Sequence, residues 1–130
     1  MTQQEPLPFA ALMGLEIVEQ GPDKVRGRLR VRADLCTRPA VLHGGAVMAL
    51  ADTLGAIATL ANLPAGCGTT TVESKTNFIV AVPEGDIATA ECTPVHRGRT
   101  TMVWQTRITR GDGRLAAIVT QTQLVLPGRG

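Results

Sequence analysis

His43-Gly44-Gly45-Ala46-Val47-Met48-Ala49-Leu50-Ala51-Asp52 opens an apolar run that continues to Asn62. From Ala46 to Asn62 only Asp52, Thr53, Thr59 and Asn62 carry polar side chains. Ala and Leu dominate, and both favour helix. Apolar residues point in nearly every direction around such a helix, so the pattern predicts one that is buried on most sides. Its single ionisable group, Asp52, then needs an explanation, because a buried carboxylate without compensation is costly. Two explanations stand at this point: a structural cap or ion pair, or chemistry.

The start of the run favours chemistry. Two glycines let a ligand approach the backbone. The first N–H groups of a helix lack an intrahelical partner, and the helix dipole is positive there. The Gly44 and Gly45 amides are therefore candidates to hold a carbonyl oxygen or an oxyanion. Gly44 and Asp52 are eight residues apart, roughly 12 Å along a helix axis. One helix cannot bring both to one small reacting centre. A second copy, antiparallel across a two-fold axis, would put Asp52 of one subunit beside Gly44 of the other, which predicts a symmetric dimer with shared sites.

The chain has 130 residues, enough for one domain with a real core, expected to span 1–130. A hydrophobic fraction of 44% argues against disorder. Met1 to Gln4 is polar and Glu5 to Pro8 holds two prolines, so no signal peptide is expected. The run from Ala46 to Asn62 is short for a membrane span and carries Asp52 at its centre. No membrane partner is expected, and the expected location is cytoplasmic. Cys36, Cys67 and Cys92 form no C-x-x-C pair and fit reduced thiols. A net charge of +2, with one Trp, two Phe and no Tyr, gives little for nucleic acid to bind.

The flanking segments alternate. Pro6 to Met13, closed by Gly14, reads as a short helix. Leu15 to Gln20 is strand-like, and Gly21-Pro22-Asp23 is a turn. In Lys24 to Arg32 the residues Val25, Leu29 and Val31 point one way and the basic residues point the other, as in a half-buried antiparallel strand. Ala33 to Leu42 reads as a loop, since Arg38-Pro39 disfavours helix. Thr69–Val82, Ile87–Val95, Thr100–Thr109 and Arg114–Leu126 read as strands, joined by turns at Pro83–Asp86, Arg97–Arg99 and Gly111–Gly113. The tail from Pro127 to Gly130 is expected to fray. One helix on one antiparallel sheet is an α+β arrangement.

Several chemistries drop out. Ser74 is the only serine and sits in no G-x-S-x-G. His43 and His96 are the only histidines, in no metal-spaced cluster, and no phosphate-binding glycine loop opens a helix. Cys36 is a weak candidate nucleophile. A carboxylate, a histidine, a helix N-terminus and threonines remain, a set that suits acyl chemistry.

His43-Gly44-Gly45 followed by Asp52 resembles the signature of hotdog-fold thioesterases of the phenylacetic-acid-degradation type. Thr69-Thr70-Thr71-Val72, Asn77-Phe78, Pro83-Glu84-Gly85-Asp86, Arg97-Gly98-Arg99-Thr100-Thr101 and Gly113-Arg114-Leu115-Ala116-Ala117 continue the likeness over nearly the whole chain. The resemblance implies an antiparallel sheet wrapped around a central helix, a dimer often paired into a tetramer, and acyl-CoA hydrolysis without a cofactor, CoA being part of the substrate. Asp52 matches the acidic catalytic residue, as base or nucleophile. Gly44 matches the carbonyl-polarising amide, with Gly45 beside it and His43 shaping the turn. Thr71 matches a hydroxyl position that helps place water. Arg97, Gly98, Arg99 and Thr100 lie where relatives meet the CoA phosphates and pantetheine; the plain alternative for the arginines is a solvated turn. One position departs. Many members carry Asn or Gln six residues before the histidine, where this chain has Thr37. A hydroxyl donates a hydrogen bond but reaches less far than an amide, and Arg38 is a candidate to compensate. Two alternatives remain: a hotdog dehydratase or hydratase, and a non-catalytic acyl-CoA binding protein.

Overall fold

The computed structural model describes residues 7–128. Met1 to Gln4, the expected helix start at Pro6 and the last two residues of the tail lie outside that range. Helix α1 (Pro8–Met13) has Pro8 in its first turn and ends on Gly14 at φ 80°, a conformation that glycine adopts without a Cβ clash. Strands β1 (Glu16–Gln20) and β2 (Val25–Arg30) follow. The segment expected to be a loop is more ordered: a 3-10 turn at Ala33–Leu35, then two-residue strands β3 (Cys36–Thr37) and β4 (Val41–Leu42), paired antiparallel. It lies against the body of the protein, where backbone groups need partners. The His43 N–H donates to Leu35 O at 2.9 Å and the Leu42 N–H to Val82 O at 2.8 Å.

Helix α2 (Gly44–Leu60) is followed by four long strands: β5 (Gly68–Phe78), β6 (Ile87–Arg97), β7 (Thr101–Thr109) and β8 (Leu115–Leu126). With β1 and β2 they form a six-stranded antiparallel sheet in the order β1-β2-β6-β7-β8-β5. Two strands before the helix and four after it are what the alternation predicts. Strand β5 stops at Phe78 rather than Val82, because the Ile79 and Val80 N–H groups both turn onto Ala116 O. Gly85 and Gly113, at φ 89° and 86°, supply the left-handed residues of their turns.

The core lies between α2 and one face of the sheet. From β2 come Val25 and Leu29, from β6 Ala88 and Ala90, from β7 Trp104 and Ile108, and from β8 Val119; all are fully buried. Small residues on the sheet let the helix come close. A Cβ on Gly27 would fall 3.3 Å from Leu54 Cδ2.

The helix begins at Gly44 and departs from expectation in one way: it is not buried on most sides. Its buried stripe is Val47, Leu50, Ala51, Leu54, Gly55, Ala58 and Thr59, the i, i+3, i+4 spacing of a single covered face. Ala49, Asp52, Thr53, Ala56 and Ile57 are half-buried, and Gly45 and Met48 are exposed. The composition is apolar all round, but one sheet covers only one side.

Within this core the Trp104 Nε1–H donates to the Thr59 hydroxyl at 2.8 Å, and that hydroxyl donates to Gly55 O at 2.7 Å. Thr59→Val keeps the shape and leaves the buried indole N–H without an acceptor. Unfolding in urea should report a loss of about 1–3 kcal/mol. Thr59→Ser, which keeps the hydroxyl, should lose less.

Candidate active site

The site residues fall into three groups along α2. At its start, the β3–β4 hairpin delivers the chain into His43, the N-cap. His43 Nδ1 accepts a hydrogen bond from the Gly45 N–H at 2.7 Å. An accepting Nδ1 is unprotonated. This cap draws both glycines into the helix, and it commits the Gly45 amide. The Gly44 N–H has no acceptor among the described residues. Of the two amides expected to meet a carbonyl oxygen, Gly44 is the one left open, at the positive end of the dipole. A Cβ on Gly44 would fall 3.2 Å from Phe78 Cζ. Beside it lies a cleft of about 340 Å³ lined by Leu42, Val47, Phe78, Val82 and Ala117 among others. No charged side chain lines it. Thr37, the last residue of β3, and Arg38, in the turn to β4, are exposed.

At the middle of α2 stands Asp52, half-buried. None of the ion pairs among the described residues includes it. The structural explanation by a cation partner therefore finds no support in these residues. Its Oδ1 accepts from the Thr71 hydroxyl at 2.5 Å and, more weakly, from Gln121 Nε2 at 3.4 Å. Oδ2 has no hydrogen-bond partner among the described residues. Gln123 Nε2 donates to Thr71 Oγ1 at 2.6 Å, and the Thr69 hydroxyl donates to Gln123 Oε1 at 2.9 Å. Asp52 and Thr71, expected to work together, are thus in direct contact. The bulge that helps aim them lies just after Thr71, where the β5–β8 register shifts and Val72 is the extra residue.

Gln121 and Gln123 were not singled out in the sequence. Both are fully buried. The signal for them is faint: they continue the inward row Ala117, Val119 on β8, where polar residues interrupt an apolar face.

At the far end, Arg97 Nη1 lies 2.7 Å from Asp23 Oδ1 and 3.0 Å from Pro22 O. A phosphate would have to compete with Asp23 for it. The Arg99 side chain has no hydrogen-bond or ion-pair partner among the described residues. It lines a groove of about 380 Å³ with Gly98, Thr100, Leu63, Cys67 and Val125. The Gly98 N–H is taken by Thr101 O, and a Cβ there would fall 2.5 Å from His96 Nε2. Gly98 is a turn residue, and Arg99 and Thr100 are the groups that face the groove. A single chain brings Asp52 to Thr71 but leaves Gly44 and Arg99 at opposite ends of α2.

Cys36 is not built as a nucleophile. Burial first, then the Glu84 and Asp34 carboxylates, push its thiol above the ordinary value, whereas reactive thiols are held lower. Burial pushes Cys92 up to about 11. Among the described residues no three His, Cys, Asp or Glu side chains cluster as metal ligands would, and no helix is long and apolar enough to cross a membrane.

The family model of the thioesterase superfamily matches residues 40–117, from the β3–β4 turn into β8. The chain belongs to the thioesterase superfamily. Its sheet and central helix are the hotdog thioesterase fold. A Mycobacterium tuberculosis relative named "Putative esterase" is 34% identical over 115 residues, 85% of this chain and 81% of its own length. The proofreading thioesterase EntH of Cronobacter turicensis is 30% identical over 102 residues, 78% of this chain and 74% of its own. A crystal structure of a Haemophilus influenzae thioesterase superposes with a TM-score of 0.85 at 30% identity, covering 91% of this chain and 82% of that one. The family and these names support thioester hydrolysis as the general chemistry. The PaaI protein from the phenylacetic acid degradation operon of Escherichia coli superposes at 0.86 with 22% identity, over 94% of this chain and 86% of that one. At that identity the likeness concerns the fold alone, and the expected subgroup does not follow from it.

The His43 cap can be tested apart from chemistry. His43→Ala should lower stability to urea by about 1 kcal/mol. His43→Asn, a good N-cap in its own right, should recover most of the loss. If both variants match the wild type, the cap contributes nothing to the thioesterase fold.

Proposed function

We propose that this thioesterase hydrolyses acyl-CoA thioesters whose acyl group is compact and uncharged, short-chain or aromatic, giving the free acid and CoA. The observation that carries the reading is Asp52: a carboxylate in mid-helix, held at Oδ1 by neutral donors and, among the described residues, with no cation beside it and Oδ2 open. In the reaction, Oδ2 takes a proton from water as that water attacks the thioester carbonyl. The carbonyl oxygen gains charge and is met by the Gly44 N–H at the start of a partner subunit's α2. The bond to sulfur then breaks, the leaving thiolate takes the proton held on Oδ2, and CoA departs as the thiol with Asp52 again ionised. The apolar cleft beside Gly44 suits an acyl group without charge. Arg99 and Thr100 at the groove suit the CoA phosphates and pantetheine. The three cysteines are free, in keeping with a cytoplasmic enzyme.

The shared site requires a homodimer, which further pairing would make a homotetramer. Strand β5 supports the dimer. It is an 11-residue edge strand, unpaired on one side among the described residues, and Val72, Phe78 and Ile79 are exposed on or beside it. Such an edge is a template for a second copy.

The central test is Asp52→Asn, assayed by thiol release from benzoyl-CoA and hexanoyl-CoA. Turnover should fall by roughly 10²–10⁴, with thermal stability kept. Near-normal hydrolysis would remove Asp52 from the reaction, and binding of acyl-CoA by the wild type without thiol release would identify a binding protein instead. Mixing Asp52→Asn subunits with Gly44→Pro subunits, each inactive alone, should restore activity in heterodimers that hold one intact site.

The two arginines should separate. Arg99→Ala should raise KM for acyl-CoA well above its effect on a pantetheine thioester lacking the phosphates. Arg97→Ala should act chiefly on stability, through the lost contact to Asp23. Equal KM effects of Arg99→Ala on both substrates would remove the phosphate contact.

A further inference from the structure

Asp52, Thr71, Gln123 and Thr69 form a line of hydrogen bonds that all point the same way. Thr69 donates to Gln123 Oε1, Gln123 Nε2 to Thr71 Oγ1, and Thr71 to Asp52 Oδ1. The direction follows from the last member. An ionised carboxylate only accepts, so the single Thr71 proton must go to it. The Thr71 oxygen is then left as an acceptor, and Gln123 must face it with its NH₂ end. That turns Gln123 Oε1 toward the Thr69 hydroxyl, whose proton is shared between it at 2.9 Å and Leu124 O at 3.0 Å. A neutral Asp52 would not impose this order. The line is built for the anion.

The geometry also fixes which oxygen is left over. Thr71 and Gln121 both address Oδ1. Gln121 lies against the helix at Gly55, where a Cβ would fall 2.3 Å from its amide. Gln121 and Gln123 are fully buried beside a mostly apolar face that also holds Thr59 and Thr106. A buried amide there is costly unless its bonds are made. Both ends of the Gln123 amide are engaged, while Gln121 Oε1 has no partner among the described residues. On packing grounds alone, a hydrophobic residue of similar volume would serve at 123.

We propose that Gln123, acting through Thr71, is a positioning residue for the reaction: it fixes the Thr71 hydroxyl as a donor to Oδ1 and so reserves Asp52 Oδ2 for water. This rests on the reading of Asp52 as the base. Without Gln123, the Thr71 hydroxyl is free to rotate and to donate elsewhere, and the carboxylate loses its fixed orientation. Substrate binding, which involves Gly44, the cleft and Arg99, is untouched.

The test is a double-mutant cycle on the full-length protein with Gln123→Leu and Thr71→Val, plus Thr71→Ser. The substrate is whichever of benzoyl-CoA and hexanoyl-CoA the wild type hydrolyses faster. Gln123→Leu should lower kcat by roughly tenfold or more, the scale known for outer hydrogen-bond partners of metal ligands, with KM within about twofold of the wild type. Thr71→Val should lower kcat at least as much. The double variant should be no worse than Thr71→Val alone, because Gln123 has nothing left to orient. Thr71→Ser should restore most of the rate. Losses that multiply in the double variant would overturn the proposal, as would a Gln123→Leu enzyme with normal kcat, whatever its melting temperature. Should Gln123→Leu not fold, Gln123→Met carries the same expectations. Asp52→Asn separates the two levels. If it is inactive while Gln123→Leu is normal, only the positioning role falls. If it is active, both fall.

Discussion

Helix α2 packs tightly on the sheet at Gly55, where an added Cβ would fall 2.3 Å from the side-chain amide of Gln121. That contact sets the height of the helix above the sheet. The Trp104–Thr59–Gly55 hydrogen bonds pin the same turn from the β7 side. With the helix at this height, Asp52, three residues before Gly55, comes within reach of Thr71 on β5 and Gln121 on β8. A helix lifted by even a methyl group would leave the carboxylate among apolar neighbours without its donors. Interiors are packed too tightly to absorb such a shift at one point only.

The carboxylate also explains why an apolar core tolerates two glutamines. Asp52 has no cation among the described residues, so its charge is balanced by hydrogen-bond donors and by the open side of α2.

Much of this architecture is legible in the sequence because it rests on periodicity. Val25, Leu29 and Val31 are buried as their alternation predicts, and the central helix follows from its Ala and Leu content. Asp52 announces itself by being the only charge in that helix. What the sequence leaves hidden depends on partners far along the chain. Both alternating rows of β8 mix apolar and polar residues, Val119 with Gln121 and Gln123, Ile118 with Thr120 and Thr122. Neither row declares itself the inner one. The face of α2 that the sheet leaves open cannot be read from composition, because its residues are as apolar as the buried ones. The engagement of Arg97 by Asp23 joins residues 74 positions apart, and nothing local foretells it. The same holds for the Gly45 amide, whose capture by His43 turns on a side-chain rotamer.

The two margins of the sheet are not alike. The β1 margin carries Glu16 and Glu19, each near an arginine of β2, and its register slips between Ile17 and Glu19. Charge and irregularity of this kind discourage further strands from adding. The β5 margin is twice as long and bears exposed apolar residues. A contact through β5 that obeys a two-fold axis uses the same margin of both chains, and the assembled sheet is then bounded at each end by a β1. In such a dimer both outer margins would be the charged, irregular β1, and a third copy would find no strand edge suited to extend the sheet.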